Sequence, residues 1–258
     1  MIVKTAAQRE GIIESCRRLG VVLEELAKIV KPGVTAQELE DYAVKLITDG
    51  GDVPAFLNYT PEGADRPFPA ALCLSINEEV VHGIPNEGHR VLKEGDIVSL
   101  DLGLTHKGFI SDSAITVPVG KTDKNAYKLM DVTRLALENA IEVARPGNRT
   151  GDISHAIEKT FEGTGIAVVK ILGGHGVGEH VHEEPYIANA GRPGTGVEIE
   201  VGMVLALEPI ANEGKAGVTI APDGYTYRTR DGSRSAHFEH TILVEEKETI
   251  VLTRRPNE

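Results

Sequence analysis

The chain has 258 residues, of which 41% are hydrophobic and 26% are charged, and its formal net charge is −12. This length allows one large core or two fused halves. The acidic balance, without a basic stripe, argues against a general nucleic-acid binder. The two cysteines form no CxxC pair, and we find neither a signal-peptide core nor an apolar run long enough to span a membrane. We therefore expect a cytoplasmic protein with no membrane or nucleic-acid partner.

The first fifty residues predict two helices. Between residues 5 and 30, apolar side chains recur at helical spacing on one face, and Lys31-Pro32-Gly33 predicts the end of that helix. Thr35, with Glu38 three residues later, predicts a capping box that opens a second helix. The second helix is expected to end near Gly50-Gly51.

The same pattern returns later in the chain. A helical stretch over roughly 123–144 ends at Arg145-Pro146-Gly147, and another helix follows to about Gly163. Strand-like sequence follows each helix pair. The alternative is a chance recurrence of Pro-Gly helix ends. We expect one catalytic domain, residues 1–258, built from two α+β halves of approximately 1–120 and 121–250 with a site at their interface.

Four carboxylates are set in otherwise apolar, strand-like segments. They are Asp101 in IVSLDLGL, Asp112 in GFISDSAITV, Glu208 in MVLALEPI and Glu239 in AHFEHTILV. A charged acid inside an apolar strand is costly unless it is paired or metal-bound. Four such acids, close in sequence to a histidine-rich segment, predict a carboxylate-rich metal site. A surface-facing acid is the alternative for each, more so for Glu239 than for Glu208, whose preceding neighbours are apolar on both faces.

A hairpin is predicted between the first two acids. A tight turn centred between His106 and Lys107 would place Asp101 directly opposite Asp112. Like charges in that arrangement are destabilising, and a divalent cation between them would remove the problem. A G1-bulge turn would shift the register by one residue, and two solvated acids on an edge strand are the other alternative.

The segment ILGGHGVGEHVHEEP (171–185) carries three candidate histidines. Its glycines free the backbone for close approach to a ligand. His175, His180 and His182 are the candidates, and His180 and His182 would point to the same side if the segment is extended. Ordinary structural or solvated histidines are the alternative. Farther along, Pro209 directly after Glu208 implies a strand edge or a bulge.

Seven segments, in order and at the usual spacing, resemble motifs of type I methionine aminopeptidases of peptidase family M24. They are NEEVVHGIP (77–85), DIVSLDLG (96–103), GFISDSA (108–114), GGHGVG (173–178), HEEP (182–185), GMVLALEP (202–209) and SAHFEHTILV (235–244). The resemblance covers nearly the whole chain. It implies the pita-bread fold, in which two pseudo-symmetric halves with a central antiparallel sheet and outer helices enclose a dimetal centre. It also implies removal of the initiator methionine from nascent polypeptides whose second residue is small.

The resemblance assigns a role to each matched side chain. The metal ligands would be Asp101, Asp112, His175, Glu208 and Glu239, with Asp112 and Glu239 bridging two divalent ions. Such an oxygen-rich set suits Mn²⁺, Fe²⁺ or Co²⁺ and does not exclude Zn²⁺. His182 would stabilise the oxyanion formed when activated water attacks the peptide carbonyl. Glu208 would move a proton, and His82 would hydrogen-bond the scissile amide or the next residue.

The resemblance also suggests Tyr59, Phe68, Cys73 and Tyr225 as the walls of a pocket for the methionine side chain. A thioether fits a soft apolar slot of this kind, although each of these residues could equally be ordinary core. The chain departs from the commoner pattern here. Tyr225 stands where Trp is frequent, Val181 where Phe often precedes the second active-site histidine, and His180 where a small residue is common. TPEGADRP (60–67) resembles a short insertion beside the pocket.

Three other functions compete with this interpretation. An Xaa-Pro aminopeptidase or prolidase shares the fold but usually has an extra N-terminal domain, for which His82 arrives too early in the chain. A catalytically dead peptide-binding module would lose metal ligands, and a creatinase-like hydrolase would not need all five. Besides nascent polypeptide N-termini, the expected partner is the ribosome, through transient contact, and the chain is expected to be a monomer.

Overall fold

The computed structural model describes residues 1–61 and 63–258. In chain order its elements are α1 (Ala6–Ile29), α2 (Ala36–Asp49), β1 (Val53–Pro54), β2 (Leu72–Ile76), β3 (Glu79–Val81), β4 (Ile97–His106), β5 (Phe109–Pro118), α3 (Lys124–Val143), α4 (Thr150–Thr160), β6 (Ala167–Val168), β7 (Gly173–Gly176), β8 (Glu183–Ala188), β9 (Val204–Leu207), β10 (Ile210–Asn212), β11 (Val218–Ile220), β12 (Tyr227–Thr229), β13 (Ser235–His237), β14 (Glu239–Val244) and β15 (Thr249–Val251). Within the part of the chain that the structure describes, every helix is too short or too polar to cross a membrane.

The helices begin and end where the sequence predicts. The side chain of Thr35 accepts a hydrogen bond from the backbone of Glu38, and the Glu38 carboxylate accepts one from the backbone of Thr35, so the predicted capping box opens α2. Gly50 follows the last residue of α2. The second pair, α3 and α4, matches the predicted positions as well. These boundaries follow from local capping chemistry, which explains why they are readable from sequence.

One large antiparallel sheet forms the centre of the molecule. Its strands run in the order β1-β4-β5-β14-β9-β7-β8, with β2 paired to β4 and β15 paired to β14. Two three-stranded sheets, β13-β10-β6 and β11-β12-β3, complete the strand structure. Helix α1 packs on β4 and β5, while α3 and α4 pack on each other. Apolar side chains from the helices and the sheet form the main core, so the predicted α+β architecture is confirmed.

The turns that join the helices of each pair are held in the same way. In the first turn, the Gly33 amide donates to the Leu92 carbonyl at 2.8 Å, and in the second the Gly147 amide donates to the Ile199 carbonyl at 3.0 Å. Both glycines have positive φ, 92° and 87° respectively, a conformation that glycine adopts at little cost. The division of the chain into two repeated halves stays a prediction.

The turn of the β4–β5 hairpin differs from the predicted one. His106 pairs with Phe109, so the turn consists of Lys107 and Gly108. Their φ angles are 49° and 86°, as a two-residue turn of the primed class requires. The prediction placed the turn one residue earlier because a lysine carries no signal for positive φ.

The shifted turn changes how the two acids of the hairpin meet. Asp101 lies opposite Ala114, and Asp112 lies opposite Gly103. The predicted direct opposition of Asp101 and Asp112 is therefore wrong, and they are diagonal neighbours. They still share one face of the sheet, because the pairing moved by two positions and side chains alternate with a period of two. Diagonal neighbours remain within reach of each other.

Candidate metal centre and active site

Strand register alone brings the first half of the site together. Residues opposite each other in a ladder share a face, and so do residues two apart in one strand. Cys73 pairs with Asp101, which pairs with Ala114. Ala114 also pairs with Glu239 on β14. Cys73, Asp101, Asp112 and Glu239 therefore project from the same face of the large sheet.

The second half of the site joins this face through the neighbouring strands. His175 pairs with Ala206, and Ala206 pairs with Thr241, two residues after Glu239. Strand β9 ends at Leu207, so Glu208 lies just beyond it, two residues after Ala206. Strand β9 is an inner strand between β14 and β7, and Pro209 lies in the gap between β9 and β10. The predicted strand edge or bulge at the proline is therefore wrong, because the strand ends before it.

These side chains line a cleft of about 570 Å³. Asp112, His175 and Glu239 each offer a ligand atom, and the three atoms lie within 4.8 Å of one another. His175 Nε2 lies 3.9 Å from Asp112 Oδ2 and 3.4 Å from Glu208 Oε1. Every residue to which the family resemblance gives a role lines this cleft: Tyr59, Phe68, Cys73, His82, Asp101, Asp112, His175, His182, Glu208, Tyr225 and Glu239.

The tautomer of His175 follows from its neighbours. Its Nδ1 lies 2.9 Å from the carbonyl oxygen of Gly176, and a carbonyl can only accept, so Nδ1 carries the hydrogen. Desolvation by burial lowers the pKa of His175 to about 3, which keeps the ring neutral. The lone pair of Nε2 therefore faces the carboxylates, as a metal ligand requires.

The carboxylates are buried without enough protein donors. Among the described residues, Asp101 Oδ1, Asp112 Oδ1 and Glu239 Oε1 are buried and have no hydrogen-bond partner. Desolvation raises the pKa of Asp101 to about 7 and raises the pKa of Asp112, Glu208 and Glu239 well above the ordinary value. Buried charges of this kind need cations. The donor set fits divalent metal ions.

The glycines beside His175 serve the strands rather than a ligand. A Cβ on Gly174 would lie 2.2 Å from the carbonyl oxygen of Ala206, and one on Gly176 would lie 2.3 Å from that of Glu184. The flanking strands therefore leave no room for side chains at these positions. The prediction that a ligand approaches these glycines is wrong, because neighbouring backbone fills that space.

His182 and His180 lie in a bent segment, and only His182 lines the cleft. The chain between Gly178 and His182 consists of bends. The segment is therefore not extended, and the reason for expecting the His180 and His182 rings on the same side does not apply. The His182 ring lies 4.6 Å from that of His175, centre to centre, and its Nδ1 lies 3.0 Å from the Tyr59 hydroxyl. His180 is exposed and, within the described part of the chain, belongs to no lining of the cleft.

His82 approaches the cleft from a different sheet. It follows the last residue of β3 and has a φ of 57°, a left-handed conformation that is uncommon outside glycine. Its ring packs against Tyr227 at 5.9 Å between centres. Desolvation lowers the pKa of His82 to about 4, so the ring is a neutral hydrogen-bonding group.

The four predicted pocket residues pack in one apolar cluster at the end of the cleft. Phe68 and Tyr225 meet edge to face, with 5.2 Å between ring centres. Cys73 and Tyr59 complete the walls, together with Phe56 and Val181, which the sequence did not assign to the pocket. Burial raises the pKa of Cys73 well above its ordinary value, so the side chain stays a thiol and behaves as a small apolar group.

The segment 60–67, predicted as an insertion, lies beside this pocket. Residue 62 is outside the described residues. Pro61 lines the cleft, and the Tyr225 hydroxyl donates to the carbonyl of Arg66. The Arg66 guanidinium lies 5.8 Å from the centre of the Tyr225 ring. The segment therefore holds Tyr225 in place from outside.

Sequence reasoning missed one polar residue of the cleft. His237 is only 2% exposed and lines the cleft beside Glu208 and Glu239. It lies two residues before Glu239, so period-two alternation would have placed both side chains on one face. Glu239 is also 2% exposed, so the alternative of a surface-facing acid is wrong for this residue.

The sequence profile of metallopeptidase family M24 matches residues 10–246. The chain belongs to metallopeptidase family M24. It is 44% identical to the methionine aminopeptidase of Aquifex aeolicus, over 98% of this chain and 99% of that protein. It is 42% identical to methionine aminopeptidase 1 of Bacillus subtilis, over 98% and 100%. The crystal structure of the methionine aminopeptidase from Thermotoga maritima, 43% identical, aligns with a TM-score of 0.93 over 99% of this chain and 100% of that one.

More distant M24-like structures show the fold alone. The prolidase from Pyrococcus furiosus aligns with a TM-score of 0.74 at 20% identity, and the aligned part is 65% of the prolidase chain. The predicted family, the pita-bread fold and the enzyme class, a metal-dependent aminopeptidase, are confirmed.

Proposed function

We propose that the chain hydrolyses the first peptide bond of nascent polypeptides and releases the initiator methionine when the second residue is small. One observation carries this proposal: a buried group of potential metal ligands and an apolar pocket line the same cleft. Relatives more than 40% identical over nearly the whole chain are named methionine aminopeptidases, which supports the same activity and argues against a binding module.

We further propose that the centre holds two divalent metal ions, with Mn²⁺, Fe²⁺ or Co²⁺ favoured and Zn²⁺ possible by donor type. The residues that would hold them are Asp101, Asp112, His175, Glu208 and Glu239, with Asp112 and Glu239 shared between the ions. When bound, the ions would supply Lewis acidity and lower the pKa of water. The unpartnered carboxylate oxygens of the cleft support this assignment.

His182 is proposed to stabilise the charge that develops on the scissile carbonyl oxygen. When the Tyr59 hydroxyl donates to Nδ1 of His182, 3.0 Å away, Nε2 carries the ring hydrogen and can donate to that oxygen. The exposed position of His182 at the cleft mouth leaves room for the substrate beside it.

Glu208 and His82 are proposed to handle the proton and the peptide. Glu208 is half-buried at the end of β9, where its carboxylate can take a proton from water and deliver it to the leaving amine. His82, on the wall contributed by β3, is placed to hydrogen-bond the scissile amide or the next residue.

The lining of the cleft supports a proposed place for each part of the substrate. The methionine side chain would occupy the pocket of Tyr59, Phe68, Cys73 and Tyr225, since a thioether suits apolar and aromatic contacts. A second cavity, of about 940 Å³, shares His82, His182 and Glu208 with the first. The rest of the polypeptide would leave through it.

The wider setting is also a proposal. We infer a single catalytic domain, residues 1–258, with halves of approximately 1–120 and 121–250, and the matching helix-pair turns support this division. Both cysteines are free and buried in the described part of the chain, in keeping with a reducing, cytoplasmic compartment. The chain would act as a monomer and touch the ribosome only transiently.

The test is a peptide-cleavage assay with metal-free protein, titrated with Mn²⁺, Fe²⁺, Co²⁺ and Zn²⁺ in turn. The proposal expects no cleavage without metal and release of methionine from Met-Ala-Ser once metal is added. Cleavage of Ala-Pro peptides in preference to Met-Ala-Ser would assign the chain to the Xaa-Pro class instead. Metal-independent cleavage would contradict the proposed centre.

A further inference from the structure

His237 is a buried polar side chain to which the proposed mechanism gives no role. It ends β13 and lines the cleft, with 2% of its surface exposed. Neither Nδ1 nor Nε2 has a hydrogen-bond partner among the residues described by the structure. A buried unpaired polar group costs free energy and calls for an explanation.

Hydrogen bonds fix the main chain at His237. The His237 amide donates to Oγ1 of Thr116, and the Thr116 hydroxyl donates to the His237 carbonyl, both at 2.8 Å. The ring faces two carboxylates of the centre. Its Nε2 lies 3.5 Å from Glu208 Oε2 and 4.0 Å from Glu239 Oε2.

Two imidazoles flank Glu208, and each faces a different oxygen. His175 Nε2 lies 3.4 Å from Oε1, whereas His237 Nε2 lies 3.5 Å from Oε2. His175 Nε2 carries a lone pair, because Nδ1 donates to Gly176. Oε1 is therefore on the side where a metal ion would bind, and Oε2 is on the side of His237.

We propose that His237 is a positioning residue for Glu208: its Nε2–H donates to Oε2 and so turns Oε1 toward the metal beside His175. The inference rests on the proposed metal centre. Contacts of this kind are often long without substrate and tighten in the working complex. Partners that orient metal ligands typically change metal affinity by about 10- to 100-fold when they are removed.

The test compares two substitutions at this position by calorimetric titration of metal-free protein with Mn²⁺. His237→Leu removes the donor, and we expect the affinity of at least one site to fall about 10- to 100-fold. His237→Gln keeps an amide donor of similar reach, and we expect it to recover most of that loss. His180→Gln, at an exposed histidine outside the cleft, is the matched control and should bind as the wild type does.

A second measurement on the unsubstituted protein separates a donor from a ligand. In the Co²⁺-loaded protein, a ligating imidazole gives one strongly shifted, exchangeable N–H signal in the proton NMR spectrum. We expect one such signal, from His175. Two signals would show that His237 binds the metal directly and would overturn the proposal. This measurement uses the unsubstituted protein, so it does not depend on whether a variant folds.

Two results of the titration would also overturn it. One is wild-type Mn²⁺ affinity in His237→Leu. The other is an equal loss in His237→Gln and His237→Leu with unchanged thermal unfolding, because then the donor is not what matters. Both readouts concern metal binding alone. A protein that binds Mn²⁺ as expected but fails to cleave Met-Ala-Ser would therefore refute the proposed function and leave this inference standing.

Discussion

The hydroxyl oxygen of Tyr59 lies 3.0 Å from Nδ1 of His182. Tyr59 is a wall of the apolar pocket, and His182 stands at the mouth of the cleft. The contact links the pocket proposed for the methionine side chain to the proposed oxyanion donor. A substrate that fills the pocket would hold Tyr59 in place, and when the Tyr59 hydroxyl donates to Nδ1, the ring hydrogen of His182 is on Nε2.

Replacing His182 with alanine should lower kcat far more than it raises KM. The proposed hydrogen bond forms to charge that exists only in the transition state, and losing one such donor typically costs about 10²–10³ in turnover. Steady-state kinetics on Met-Ala-Ser with saturating metal would measure both constants. A near-normal kcat would rule out this role for His182.

Replacing Tyr59 with phenylalanine should have a smaller effect on the same constant. The variant keeps the ring as a pocket wall but loses the hydrogen bond to His182, worth about 1 kcal/mol, or roughly fivefold in rate. KM should change little. Tyr127→Phe, on the exposed face of α3, is the control. If Tyr59→Phe raised KM and left kcat alone, Tyr59 would contribute to binding only.

The metal-free protein should lose stability through the buried acid Asp101 as the pH rises. Desolvation raises the pKa of Asp101 in the folded protein to about 7. The contribution of Asp101 to the free energy of unfolding is therefore greatest below its ordinary pKa of about 4, and it is lost as the pH rises toward 7. A difference of one between the folded and unfolded pKa corresponds to about 1.4 kcal/mol. Asp101→Asn mimics the protonated acid, and we expect its Tm to fall less over this range.

Thermal melts of both proteins in EDTA, across that pH range, make the comparison. Bound metal should remove most of the difference in pH dependence, because it favours the ionised carboxylate. A wild-type Tm that falls no more than that of Asp101→Asn would contradict the desolvation of this residue.

Replacing Gly174 with alanine should damage the metal centre without touching a ligand. The new methyl would lie 2.2 Å from the Ala206 carbonyl oxygen, so β7 would have to move away from β9 and carry His175 with it. We expect a lower Tm and weaker Mn²⁺ binding. Gly217→Ala, whose methyl would meet only the flexible Arg230 side chain at 3.3 Å, should change neither. Wild-type metal affinity in Gly174→Ala would show that the strands adjust freely.

Much of the site was visible in the sequence because burial of charge is rare. Asp101, Asp112 and Glu208 stand out as acids among apolar neighbours, and their strands place them on one face. The helices were also predictable, since capping residues such as Thr35 act within a few positions. Local chemistry of this kind leaves a direct trace in the chain.

Other features depended on information that the sequence hides. Lys107 adopts positive φ, which lysine, unlike glycine or asparagine, does not indicate, and the hairpin register differs from the predicted one accordingly. The sequence does not show that neighbouring backbone fills the space at the glycines around His175, because one of the strands that fills it, β9, lies far away in sequence. Alternation with Glu239 places His237 on the face of the site, but its contact with Glu208 arises only through tertiary folding.

The central claim is that acids from distant parts of the chain enclose a shared pair of divalent ions. Metal content after equilibrium dialysis of the metal-free protein against Mn²⁺ tests it most directly, with Asp112→Asn and Glu239→Gln measured in parallel. We predict two ions per wild-type chain and a loss of bound metal in both variants, because each removes a carboxylate proposed to hold both ions. No saturable binding in the wild type, or two ions retained in both variants, would contradict the claim.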